Sequence, residues 1–255
     1  MTSLFAQIVL ALFLSINVWF VLACALRRND IADIAWGLGF VLMSWLAFAS
    51  SDYSPRSILV NLLVTIWGLR LTWHIARRNL RKSEDSRYAV WRQTWKYFYV
   101  RSYVQIFLLQ GFFLYVILLP VLFIHGSEPA SLQASDLLGV IVWIIGFFFE
   151  SVGDRQLKDF LKDPANKGKL MDRGLWAYSR HPNYFGEVMQ WWGIFFCALS
   201  LPYGYLTIIS PLLITFLILF VSGVPMLEKK YAGRPDFETY KKRTSMFVPW
   251  FQKKM

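Results

Sequence analysis

Uninterrupted apolar runs recur from one end of this chain to the other. The first, Leu4 to Leu26, contains no charged residue. A run of about 18 or more residues with few charges is long enough to cross the hydrocarbon layer of a bilayer as a helix. One such run fits a buried core helix, but a series of them leaves no soluble fold. The expectation is an all-α, polytopic membrane bundle of about seven transmembrane helices, a single integral membrane domain over 1–255. The segments are expected near 4–26, 31–49, 57–75, 103–124, 137–152, 182–200 and 205–224. The first run has no basic leader and no clear small-residue cleavage site, so it reads as a retained helix rather than a signal peptide.

The basic residues set an orientation. Arg27 and Arg28 follow the first segment, Arg77 to Arg101 the third, Arg155 to Arg180 the fifth, and Lys229 to Lys254 the seventh, whereas the alternate loops hold only Arg56. Cytosolic loops collect Lys and Arg, which places the N-terminus outside and the C-terminus in the cytosol; an even number of spans breaks the alternation. Loops 76–102 and 153–181 and the tail 225–255 are then cytosolic. Much of the net charge of +11 is topology signal rather than a nucleic-acid surface. Trp91, Trp95, Tyr97, Phe98 and Tyr99, set among bases, suit an interfacial helix, and the charged, aromatic tail suits a further cytosolic helix. Cys24 and Cys197 lie in apolar segments, and without a CxxC pair neither a disulfide framework nor a metal site is expected.

Charges in a span cost roughly 2.5–3.5 kcal/mol each, so each calls for a reason. Asp33 opens the second segment. Arg70 and His74, Glu150 and Asp154, and Asn183 and Glu187 are each four apart, on one helical stripe. Taken singly, Asp33 reads as a cap, Arg70 as a snorkelling side chain, His74 as an inert interfacial histidine, and the two acids as partners of nearby bases. All of them fall at the expected cytosolic helix ends. That shared side points to a polar cavity open to the cytosol over an apolar floor, suited to an anionic, water-soluble ligand and a lipophilic one entering from the membrane.

The most distinctive string is Ser179-Arg180-His181-Pro182-Asn183-Tyr184-Phe185-Gly186-Glu187, followed by Trp191-Trp192-Gly193. Pro182 suits the first position of a helix, and free N–H groups at a helix start favour anions. This string resembles the steroid 5-alpha-reductase-like superfamily of membrane enzymes, most closely a bacterial branch of largely unknown function. Weaker likenesses are Asp33-Ile34-Ala35-Trp36-Gly37, Gly68-Leu69-Arg70-Leu71, Arg77-Arg78-Asn79, Glu84-Asp85-Ser86-Arg87-Tyr88, and Glu228, Tyr231, Tyr240, Arg243 and Pro249 in the tail. Together they cover about residues 30 to 251.

The resemblance implies a seven-helix bundle in the bacterial inner membrane that binds NADPH from the cytosol and reduces an activated, enone-like carbon–carbon double bond of a steroid-like or other lipophilic substrate. By position Asn183, Glu187, Asp154, Arg70 and Trp191 match the family's cofactor side, and Glu150 replaces an asparagine there. Tyr88, His181, Tyr231 and Arg243 join that group, while Arg70, Arg78, Lys158 and Arg180 are the expected phosphate partners. Asp33, His74 and Tyr184 are the expected catalytic residues, giving the enolate oxygen a hydrogen bond or a proton. Two departures argue against a steroid substrate: only Asp33 stands where a Gln-Glu pair is usual, and Trp67 replaces the catalytic tyrosine. No GxGxxG or Walker string is present, so a nucleotide site must be built from helices. The alternative is an S-adenosylmethionine-dependent methyltransferase of the isoprenylcysteine or phospholipid type, whose relatives share Arg-His-Pro-x-Tyr-x-Gly. They carry paired glutamates where this chain has Glu228-Lys229, and no acid directly after the glycine. A transporter or lipid-binding protein predicts polar residues at mid-membrane, which this sequence does not show. Nothing in it specifies an oligomeric state.

Overall fold

The structure is a computed structural model; it describes residues 2–80, 82–129 and 131–253, with the side chain of Thr2 left aside. It is all helical. Among the described residues the β pairing consists of one isolated parallel bridge, Ser179 to Ser245. Six helical stretches are long and apolar enough to cross a membrane: Ser3–Leu26, Ile31–Ala49, Pro55–Asn79, Phe98–Ile117, Ala134–Lys162 and Gly204–Tyr231. The chain is a multi-pass membrane protein. The segment expected at 182–200 is also a helix, Pro182–Ala198, but at 17 residues it is shorter than these six.

The elements run α1 (Thr2–Leu26), α2 (Ile31–Ala49), α3 (Pro55–Asn79), α4 (Ser86–Thr94), α5 (Phe98–Ser102), α6 (Leu109–Ile117), α7 (Leu119–His125), α8 (Ala134–Lys162), α9 (Pro182–Ala198), α10 (Ile209–Phe216), α11 (Val224–Tyr231) and α12 (Pro235–Arg243). Widened π-helical turns at Tyr103–Leu108 and Leu217–Val221 join α5 to α6 and extend α10. The expected span at 103–124 is divided at Leu118, where Pro120 opens α7 and has no N–H for the preceding turn. The helix expected at 137–152 extends further at both ends. Its 29 residues rise about 43 Å at 1.5 Å each, so the charges from Asp154 to Lys162 ride a helix that outruns the roughly 30 Å hydrocarbon layer.

The chain packs as two compact units, Met1–Gln133 with Ala198–Ser210, and Ala134–Cys197 with Pro211–Met255. In the first, α2 and α3 form a hairpin whose second helix is started by a capping box. Ser57 N–H donates to Ser54 Oγ at 3.1 Å and Ser54 N–H to Ser57 Oγ at 2.8 Å, with Pro55 at the first turn. The helices touch at Gly37 and Gly68, where a Cβ on either would stand 2.8 Å from the other's carbonyl oxygen. Small residues at such crossings let helix backbones approach where lipid offers no hydrophobic drive. Polar links cross the hairpin at Ser44 Oγ to Asn61 Oδ1, 2.5 Å, and at Trp45 Nε1 to Thr65 Oγ1, 3.0 Å.

The second unit is built on a closer seam. Gly139 faces Gly193 and Gly146 faces Gly186, seven residues apart on each of α8 and α9, and a Cβ at Gly186 would meet Glu150 N and Gly146 O at 2.4 Å. This seam brings the polar stripes of α8 and α9 together.

Candidate functional site

The first unit gathers its polar residues where α2 begins. Asp33 does not cap that helix. Its carboxylate accepts from Tyr88 Oη at 2.6 Å and Arg87 Nη2 at 3.0 Å, both brought by α4. Around this pair the neighbouring acids are all engaged. Buried Asp30 takes Arg28 at 2.8 Å and the Asp85 N–H at 3.2 Å, and Glu84 takes Arg92 at 2.8 Å and the Asn29 N–H at 2.7 Å. Asn29 in turn donates to Ser102 Oγ at 2.7 Å. Arg78 reaches the Asn79 side chain at 3.0 Å. Arg70 and His74 lie half-buried one turn apart on α3. Trp67 is fully buried, edge-on to Phe40 at 5.3 Å between centroids.

Burial and hydrogen bonding shift two ionisable groups of this cluster. Partial burial alone would raise the Asp85 carboxyl, but hydrogen bonds from the Arg87 side chain and N–H hold it below the usual range. Burial, then the Asp33 charge beside it, pushes the Tyr88 phenol well above its ordinary value. A folded-state value raised in this way stabilises the fold fully below about pH 10, the ordinary tyrosine value, and that contribution is lost as pH climbs past it. Tyr88→Phe is therefore expected to cost about 1.5–3 kcal/mol at pH 8, the worth of a hydrogen bond to a charged group, and to flatten the alkaline fall in stability. Thermal unfolding between pH 8 and 12 reads both; an unchanged alkaline slope would mean that Tyr88 does not hold its proton against Asp33.

In the second unit the α8–α9 seam carries two ladder rungs. Asn183 Nδ2 donates to Asp154 Oδ1 at 3.0 Å, and Gln190 Nε2 to Glu150 Oε2 at 2.5 Å. Glu150 and Gln190 are almost wholly buried, at 2% and 1% exposure. Glu187 sits half-buried between the two rungs in sequence, and Trp191 is fully buried beyond them. The remaining amide oxygens, Asn183 Oδ1 and Gln190 Oε1, are buried and receive no hydrogen bond from the described residues. These two amide oxygens are thus acceptors without a matching donor among the described residues. Lys158, four residues past Asp154, is exposed.

The Arg180-His181 pair has a different job. Arg180 Nε donates to Glu228 Oε1 at 2.8 Å, its Nη1 to the carbonyls of Thr244 at 2.9 Å and Lys241 at 3.3 Å, and His181 Nε2 meets the same Glu228 oxygen at 3.2 Å. The backbone beside them is zipped to the tail. Arg180 N–H donates to Ser245 O at 2.9 Å, Ser179 Oγ to Phe247 O at 2.7 Å and Trp250 N–H to Tyr178 O at 2.9 Å. Arg180, expected to meet phosphate, fastens the tail. Tyr184 stacks on the His181 ring, centroids 5.7 Å apart and 12° from parallel. Arg243 pairs with Asp172, and Tyr231 packs on Phe237 under Arg234. The expected tail helix is α12.

A protein-family model described as "Protein of unknown function (DUF1295)" matches residues 19–244. The chain belongs to the DUF1295 family. An uncharacterised protein of the fission yeast Schizosaccharomyces pombe is 28% identical to it over 162 residues, 54% of this chain and 47% of the relative, so the chain spans about half of that protein's length. No solved structure matches. Within this DUF1295 chain Gln190 is the ladder residue that the sequence patterns do not single out, while Glu84, Arg87 and Glu228 are matched to the superfamily without being given a role. Gln190 had a signal: it extends the 183–187 stripe by three residues, to the third position on the same helical face. For Arg87 and Glu84 the sequence did not show the pairing, because Asp33 and the Asn29 N–H lie some 55 residues away. Among the described residues no group of three or more His, Cys, Asp or Glu forms a metal site.

Proposed function

We propose that the protein is an NADPH-dependent membrane reductase acting on an activated, enone-like double bond of a lipophilic substrate. Its place would be a bacterial inner membrane, N-terminus outside, with the Arg-His-Pro string on the cytosolic side. The single observation that carries this reading is the α8–α9 ladder, where two buried amide oxygens, Asn183 Oδ1 and Gln190 Oε1, receive no hydrogen bond among the described residues. Buried acceptors require donors, and ribose hydroxyls and a carboxamide NH₂ are donors of that kind. The acceptors of the ladder suit NADPH, with Asp154, Asn183, Glu187, Glu150 and Gln190 as the holding group and Lys158 as a phosphate partner. The DUF1295 family falls within the steroid 5-alpha-reductase-like superfamily, and the acid directly after Gly186 is the reductase pattern.

When bound, NADPH supplies the hydride. The chain supplies position and charge: Asp154 and Asn183 fix one another's rotamers, so that Asn183 Oδ1 keeps one direction, and Glu150 does the same for Gln190. Within the second unit the proton carrier of this reading is Tyr184, stacked on His181 at the start of α9.

The test is thermal unfolding of purified protein with NADPH or with S-adenosylmethionine. A ligand at a hundred times its Kd stabilises the folded state by about 2.7 kcal/mol, several degrees for a chain of this size. NADPH is expected to give that shift, and Asn183→Ala and Glu187→Gln to abolish it; Glu187→Gln should leave the midpoint without ligand nearly unchanged, whereas Asn183→Ala should lower it by the lost hydrogen bond to Asp154, about 1.5–3 kcal/mol. Stabilisation by S-adenosylmethionine alone would replace the reductase by a methyltransferase, and a shift with neither would favour a lipid-binding role without chemistry.

A further inference from the structure

The corner between α4 and α5 has no part in the reading above. Between Asp85 and Glu128 the sequence contains no acidic residue. Four cations fall in the first part of this stretch: Arg87, Arg92, Lys96 and Arg101. Arg87 is taken by Asp33 and Asp85, and Arg92 by Glu84. Lys96 and Arg101 have no acidic partner among the described residues. Aromatic rings hold them instead, with the Arg101 guanidinium 4.5 Å from the Trp95 centroid and Lys96 Nζ 5.1 Å from that of Tyr97. Trp95 is itself braced, stacked on Trp91 at 4.9 Å and 12°.

The backbone builds this corner at some strain. Tyr97 takes φ 55° and ψ 48°, the left-handed region that non-glycine residues seldom occupy. In that turn Tyr97 is 72% exposed, next to exposed Tyr99 and Val100. The membrane span Phe98–Ile117 starts here, so the corner lies at the boundary between bilayer and water. It combines exposed apolar and aromatic surface with two cations that no carboxylate neutralises. Ring faces leave the N–H edges of a guanidinium open, and those edges match phosphate oxygens in pairs.

We infer that the α4–α5 corner binds the phosphate of an anionic phospholipid on Lys96 and Arg101, with Tyr97 and Val100 against its glycerol and upper acyl region. Because α4 also carries Arg87 and Tyr88 to Asp33, the bound lipid steadies the C-terminal end of the helix whose N-terminal end is tied to α2.

The experiment is native mass spectrometry of the full chain, released from micelles doped with equimolar phosphatidylglycerol and phosphatidylcholine. Wild type is expected to retain phosphatidylglycerol preferentially. A cation near a membrane surface is worth about a five- to sixfold preference, so Lys96→Gln with Arg101→Gln should lower the enrichment about thirtyfold. Lys229→Gln with Lys230→Gln removes the same charge from exposed positions on α11 and should leave it intact. Lys96→Gln alone should give the five- to sixfold loss, which keeps the inference testable if the double variant does not fold. Equal retention of the two lipids by wild type, or equal losses in the two double variants, would overturn the site. So would full displacement by millimolar glycerol phosphate, which would mark a soluble-phosphate site instead of a lipid one.

Discussion

Gly186→Val is expected to leave little folded protein. A Cβ at this position would lie 2.4 Å from Glu150 N and from Gly146 O, and both are backbone atoms, so no side-chain rotation relieves the clash. The helices must part. Overpacking of this kind costs about 1–3 kcal/mol and sometimes more. Parting α8 from α9 also pulls Gln190 from Glu150 and Asn183 from Asp154, hydrogen bonds to charged groups worth about 1.5–3 kcal/mol each. The sum approaches the total stability of an ordinary protein, about 5–15 kcal/mol. Size-exclusion profile and thermal midpoint in detergent are the readouts. A monodisperse variant melting with the wild type would show that the seam is not as close as described.

Arg180→Ala is expected to release the tail. Removing one partner of a buried pair costs about 3–5 kcal/mol, because the other charge stays buried without it. Here it also strips donors from the carbonyls of Lys241 and Thr244. The loss should be local first: trypsin should cut at Lys241, Lys242 and Arg243 at least about tenfold faster, since proteolysis follows the population of locally open forms. Because the pair is mostly buried, added salt should change the wild-type rate little. Glu228→Gln is expected to act in the same direction. Replacing both partners is often close to neutral, so Arg180→Met with Glu228→Gln should recover part of the protection. If the double variant were cut faster than either single one, the tail would be held by something other than this contact.

The sequence made the membrane architecture legible because hydrocarbon imposes one requirement, length with few charges, that α1 and α2 meet almost residue for residue, whereas α3 runs beyond the expected 57–75 at both ends, from Pro55 to Asn79. It misjudged α8, since a helix that leaves the hydrocarbon layer can continue through Glu150, Asp154 and Lys158, and charge was read there as an end. The π-helical turns at Tyr103–Leu108 and Leu217–Val221 leave no composition signal. On the site, the four-residue spacing of Glu150 with Asp154 and of Asn183 with Glu187 placed the right helical faces. The pairing itself was hidden, because Gln190 closes the second rung and an amide in an apolar helix attracts less notice than a charge. Arg87 and Arg180 were read as topology signal or phosphate partners. Whether a cation faces a phosphate or an internal acid depends on what the chain brings beside it, and Glu228 comes 48 residues after Arg180.

The zipper between Ser179 and the tail also orders events in time. Ser179 Oγ waits for a carbonyl 68 residues further on. At about 5–20 residues per second of synthesis, the Ser-Arg-His stretch spends several seconds with its donors unmatched and Arg180 without its acid. A ribosome that stalls before residue 243 leaves a nascent chain whose second unit still has raw polar edges beside apolar helices. Those edges are closed only once the tail through Trp250 has left the ribosome and reached Tyr178 and Ser179.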